Sequence, residues 1–174
     1  RDASRAAVAR ALELQPADPA ILNEWAYMSA EDKVDLGEAL TVVDRALELH
    51  LGRPFDPLQL EAGEGLAGWA KSRGESVGAY IDTRGWVLYQ LGRHPEAVRD
   101  LELAALLSSD GTVQAHLGQA RYANGNDPGA FVALLQALAV GTEDEEEVSR
   151  LAEHLYDKLH VVPGGLQALV QAVR

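Results

Sequence analysis

Apolar and small residues recur along this chain at intervals of three and four, the spacing that gathers one face of an α-helix. Residues 78–104, GAYIDTRGWVLYQLGRHPEAVRDLELA, read as two amphipathic helices bent around a Gly-Arg-His-Pro corner. In the second of these helices Ala97, Leu101 and Ala104 share a face. The same small–large–small triplet occurs as Ser4, Val8, Ala11, as Ala39, Val43, Ala46, and as Ala130, Leu134, Ala137. Small residues let a neighbouring helix come close, and the larger one fills the gap between them. The hairpin is therefore one unit among several.

The first helix of each hairpin repeats as well. Gly85 and Gly118 stand 12 residues before Ala97 and Ala130, and Ala26 stands 13 before Ala39. Gly92 and Gly125 suit the left-handed residue that ends a helix. Asp127 is then expected to cap the next helix with Pro128 in its first turn, and His94-Pro95 fills that place in the other copy.

Successive triplets are separated by 35, 58 and 33 residues, so the middle interval holds about 24 more than one repeat of roughly 34. The pattern divides the chain into a half-repeat (1–16), a repeat (19–51), an insert (52–78), two further repeats (79–109 and 112–141) and capping helices (143–174). Gly63, Gly65 and Gly68 argue against one regular helix through the insert. Phe55, Leu58 and Trp69 would make it an ordered cover over apolar surface, or Phe55, Leu66 and Trp69 a flap that enters a ligand site; simple disorder is the third reading, which two large aromatics disfavour. Near the C-terminus, Thr142 and Glu145 have the spacing of a capping box, and the acids that follow complement a helix N-terminus. The EDEEE run is accordingly read as a helix start and not as a cation site. Leu151, Leu155 and Leu159 continue as an apolar stripe, and PGGLQALVQAV from about Pro163 reads as one more short helix.

These residues resemble the tetratricopeptide repeat (TPR), whose pattern is W-x2-L-G-x2-Y, then A, then A-x3-F, with Pro near the end. Ile81, Gly85, Leu88, Ala97, Leu101 and Ala104 match it in one copy. Leu117, Gly118, Ala130, Leu134 and Ala137 match in the next, and Leu22, Trp25, Ala26, Ala39, Val43 and Ala46 in the first. The likeness implies an all-α fold: a right-handed superhelical solenoid of antiparallel helix pairs, closed by a C-terminal helical cap. Arg84 stands where the family prefers Leu, and Arg121 where an aromatic residue or Leu is usual. Both are expected to pack their stems and keep their heads in water. Pro is absent at the ends of the later repeats, where Ser109 and Thr142 stand.

The 174 residues carry a formal net charge of −12 and no cysteine. Such a charge opposes nucleic acid and anionic lipid, and no apolar run reaches the roughly 20 residues that span a membrane. The chain opens in what reads as mid-helix, so a piece of a longer protein is expected, with the cytoplasm slightly favoured. Its Ala-, Leu- and Arg-rich style is bacterial in look. There is no phosphate-binding Gly loop, nucleophile elbow or His-Glu-x-x-His pair, and the five His have no metal-ligand spacing. Neither an enzyme, a metal site nor a cofactor is expected.

The resemblance instead implies a concave face lined by the first helix of each hairpin. On it fall Asn23, Tyr27 and Ala30, then Asp82, Trp86 and Tyr89, then Ala115, Gln119 and Tyr122. Tyr27, Trp86, Tyr89 and Tyr122 would form a ladder of rings along one groove, unless some of them pack between repeats. TPR domains that capture a C-terminal carboxylate do so with Lys, Arg and Asn. The corresponding positions here, Asn23, Asp82 and Ala115, do not suit that role. The expectation is a protein-interaction scaffold holding a neutral or basic peptide, or a helix, of a partner. The alternatives are a self-assembly module forming a homo-oligomer, or a regulatory domain of a larger enzyme.

Overall fold

Three corners of this chain are closed by one backbone device. The computed structural model describes residues 2–56, 75–159 and 165–173, and within them the chain is all-helical. The helices are α1 (Asp2–Leu14), α2 (Pro19–Asp32), α3 (Leu36–Leu51), α4 (Glu75–Gln90), α5 (His94–Leu107), α6 (Gly111–Ala123), α7 (Asp127–Val140), α8 (Glu145–Lys158) and α9 (Gly165–Val173). After α2, α4 and α6 come Lys33 (φ 56°), Gly92 (φ 75°) and Gly125 (φ 80°). Each left-handed residue and its successor donate back to the last turn: Lys33 and Val34 to Ala30 and Ser29, Gly92 and Arg93 to Tyr89 and Leu88, Gly125 and Asn126 to Tyr122 and Arg121. These bonds satisfy carbonyls that a helix end leaves open. Lys33 does so with a side chain attached, at a backbone cost of about 1–2 kcal/mol that the two glycines escape.

Helix starts follow local chemistry, with two departures from expectation. Asp18 caps α2 by accepting from the Ala20 N–H at 2.8 Å. The cap of α7 is Asn126, which accepts from the Gly129 N–H at 3.1 Å, and not Asp127. Asp127 instead pairs with Lys158 at 2.5 Å, which ties α7 to α8. The capping box expected of Thr142 and Glu145 does not form, because α8 begins only at Glu145. Glu145, Glu146 and Glu147 occupy its first turn, where the helix dipole favours negative charge.

The helices pair as antiparallel hairpins α2–α3, α4–α5 and α6–α7. Both α4 and α6 also touch the first and second helices of the hairpin before them, which gives a repeat-like stacking. Gly85 and Gly118 set the spacing within their hairpins. A Cβ on Gly85 would lie 2.7 Å from Leu101, and one on Gly118 2.7 Å from Leu134. Leu101 and Leu134 are both fully buried, each contributing about 1.5–3 kcal/mol of hydrophobic stabilisation. In the first hairpin Ala26 and Val43 hold the equivalent places in a cluster with Ala39, Trp86 and Val87. Small residues thus meet the large member of the triplet across each pair.

At the C-terminal end α8 and α9 both pack on α7. Val148, Ala152 and Leu155 of α8 are buried there with Val170 of α9, while Leu151 and Leu159 are only partly covered. Phe55, the described member of the cover or flap, packs on a cluster containing Leu47, Leu51 and Tyr80, with the Arg84 guanidinium 5.4 Å above its ring. Leu58, Leu66 and Trp69 lie outside the described residues, and α4 starts at Glu75, within the stretch assigned to the insert. No helix among the described residues is long and apolar enough to cross a membrane.

Of the two arginines, Arg84 does not place its head in water as expected. Arg84 pairs with Asp44 of α3 at 2.6 Å and with Asp100 of α5 at 2.5 Å, with its side chain 16% exposed. Burial opposes the charge of Arg84, but the two carboxylates outweigh it and raise its pKa. Arg121 reaches Glu102 at 2.8 Å and donates to the Gly129 carbonyl at 3.2 Å. Facing acids within the array, invisible to a single-helix pattern, draw the Arg84 head inward, while Arg121 meets the exposed Glu102 at the surface.

Gly118→Val should lower stability by about 1–3 kcal/mol through overpacking against Leu134. Gly37→Ala should raise it by about 0.4–1 kcal/mol, since nothing lies within 4 Å of a Cβ there. Denaturant midpoints of the two variants check the pair, and a neutral Gly118→Val would show that α7 gives way freely.

Candidate functional site

The acid at position 82 sits on the buried side of α4 and needs a partner. Asp82 is 7% exposed, and its carboxylate oxygens lie 3.0 and 3.1 Å from Nδ1 of His116 on α6, itself 4% exposed. The His116 ring stacks on Trp86 at 4.1 Å, and Trp86 stacks on Tyr89 at 4.7 Å. Trp86 Nε1 donates to Glu31 of α2 at 2.7 Å. Tyr27 completes the group, tilted against His116 at 6.2 Å. One short stack therefore joins α2, α4 and α6.

Charge in this stack is governed by its acids. Complete burial pulls the His116 pKa down, but Asp82, with Glu31 and Asp144 further off, more than reverses this and raises it above 6.5. An imidazolium is also well placed against the face of Trp86. Burial raises the Tyr27 hydroxyl, reinforced by the charges of Glu31, Glu143, Asp82 and Asp144. Tyr89 is raised by burial and then by Glu147. Acids from α2, α4 and the start of α8 thus converge on these rings.

Beside the stack, between α4, α6 and α8, lies an open cleft of about 630 Å³. Tyr89, Gln119 and Tyr122 line it from the first helices of two hairpins, and Glu147, Arg150, Leu151 and His154 close it from α8. Tyr122 stands edge-on to His154 at 6.0 Å, with its hydroxyl 3.4 Å from His154 Nε2.

The expected groove residues therefore separate into two sets. Tyr89, Gln119 and Tyr122 come together in the cleft, whereas Asp82, Trp86 and Tyr27 belong to the stack beneath and beside it. Trp86, at 6% exposure, packs between repeats and is no free rung of a ladder. Ala30 and Ala115 are core residues, and among the described residues Asn23 joins neither set. His116, Glu31, Glu147 and His154 were not singled out by pattern. The one available signal was Asp82, an acid on an apolar helix that called for a basic partner; which residue supplied it depended on helix packing.

An Asp–His pair is half of a general-base arrangement, but a base has to reach its substrate's proton. Under Trp86, this pair braces α4 against α6. Among the described residues no three His, Asp or Glu side chains are grouped so as to hold a metal ion.

A histidine whose pKa is raised by folding stabilises fully below its unfolded pKa of about 6.5, and that contribution fades as pH rises through the folded value. His116→Gln should accordingly cost about 3–5 kcal/mol near pH 6, because it leaves Asp82 buried without its cation. The difference from wild type should shrink as pH rises above 6.5 through the raised folded value. Denaturant midpoints of both proteins across this range test it, and a pH-independent difference would mean that His116 is not charged in the fold.

No protein-family model, curated protein or solved structure matches this chain.

Proposed function

We propose that this chain is a tetratricopeptide-type domain, a right-handed superhelix of hairpins, and that it acts as a protein-interaction module holding a peptide or helix of a partner in the α4–α6–α8 cleft. One observation carries the reading. Tyr89 and Tyr122, 33 residues apart and equivalent in successive hairpins, line the same cleft with half-buried rings. Aromatic rings that are partly covered offer large contact area with little entropy left to lose. The stack of Trp86 and His116 supports Tyr89 from below, so the ring is held ready for a partner. Preorganisation of this kind lowers the cost of binding.

Tyr89 and Tyr122 are better probes than Trp86, whose replacement by Ala would remove core and cost about 3–5 kcal/mol of stability. Tyr89→Ala with Tyr122→Ala should keep the helical circular dichroism signal and weaken partner binding at least tenfold or so. Affinity capture from lysate with wild type and the double variant reads this directly. Retention of the same proteins by both would exclude the cleft.

Self-assembly is the second reading, and a different surface favours it. Leu106 and Val140, 69% and 63% exposed, border a recess of about 750 Å³ together with Val173. Exposed apolar surface of this kind marks many contact faces. Sedimentation should then show mass rising with concentration in wild type and not in Leu106→Glu.

A further inference from the structure

Helix α7 carries no charge after Asp127, and Asp127 itself is engaged with Lys158 at 2.5 Å. A helix that is apolar on all sides belongs in an interior. Helices α6, α8 and α9 pack on α7, but Pro128, Val132, Gln136 and Val140 remain exposed, Val132 at 52%. They stand four residues apart and so form one row along the outer face of the helix. The other hairpins keep charge on that face: α3 shows Glu38 and Arg45, and α5 shows Arg99 and Glu102. Val132 itself stands where the preceding hairpin has Arg99, 33 residues earlier. The recess beside the row, bordered by Leu106, Val140 and Val173, has no charged residue in its lining.

We infer that a second copy of this chain covers the row, in a two-fold dimer whose axis passes beside Gln136. The inference rests on the self-assembly reading above and adds the helix, the symmetry and the register. Charge and order both select a second copy. A chain of net charge −12 repels its own copies wherever acidic surfaces meet, and on this uncharged row two copies approach without that cost. Around Gln136 the row reads Val, Gln, Val in either direction, and an isologous contact requires a surface that complements itself. With the two α7 helices antiparallel, Val132 of each copy meets Val140 of the other, and the two Gln136 side chains lie side by side. A carboxamide both donates and accepts, so the two satisfy each other across the axis. No residue lining the α4–α6–α8 cleft belongs to this row, so the pairing does not use the cleft.

Sedimentation of wild type, Gln136→Glu, Gln136→Lys and an equimolar mixture of the two variants tests the axis. Wild type should pass from monomer to dimer with rising concentration and no further, more readily as salt screens the long-range repulsion. Each variant alone should associate about tenfold more weakly, because it brings two like charges together at the axis. The mixture should regain the dimer, since Glu and Lys then face each other. Gln136 is exposed, so both variants should keep the helical circular dichroism signal. If wild type stays a monomer at every concentration, the self-assembly reading falls and the inference with it. Undiminished association of both variants, or a mass that climbs past the dimer, would keep self-assembly and overturn this axis. A mixture as monomeric as its two components would do the same. Association that weakens with salt would mean an ionic contact and likewise overturn the inference. The mass of wild type and its salt dependence do not depend on either variant folding.

Discussion

The close approach of paired helices at a single small residue governs this structure. Where Gly85 and Gly118 meet Leu101 and Leu134, not even a methyl group separates one backbone from the other helix's side chain. That contact sets the distance within each hairpin, and the hairpin's width sets how the next one stacks. With the pitch so determined, equivalent positions 33 residues apart fall side by side. Tyr89 and Tyr122 share a cleft for this reason, and the cleft is a product of the core packing beneath it.

Charged groups buried between the hairpins do what apolar stacking alone does not. Apolar interlocking sets how closely the helices approach, and a buried ion pair adds a geometric requirement, because a member left unpaired is costly. Arg84 ties α4 to α3 and α5 through Asp44 and Asp100, and Asp82 ties it to α6 through His116. These pairs surround the helix that re-enters the array after the longest interval in the repeat. Burial pushes the Asp100 carboxyl up to about 6 even with Arg84 pulling it down, a measure of how little water reaches the pair. Arg84–Asp100 and Asp82–His116 are costly to break by removing one member, since the other remains buried and charged, whereas Asp44 lies half exposed.

The same placement links support and surface. Trp86 receives His116 on one side and Tyr89 on the other, and its indole N–H is held by Glu31. Three helices thereby orient one ring at the edge of the cleft. The proposed binding surface depends on groups that a partner would not touch.

Local rules were readable along the chain. The positions of the helices, the left-handed glycines at 92 and 125, and the small residues that admit a neighbouring helix all follow from period, steric freedom and side-chain volume. These are properties of a residue and its near neighbours, so one sequence suffices to find them. Even there, the helix starts shifted by a residue or more: Asn126 takes the cap expected of Asp127, and at Asp144 no side chain caps α8. What the sequence could not decide was which polar residue meets which across the stack. Asp82, Arg84, Trp86 and His116 are all amphipathic or charged, and each could equally face water or the next hairpin. Their roles were settled only when α3, α5 and α6 brought acids or rings to 2.5–4.1 Å, since dense packing excludes water and a buried charge without a partner is costly.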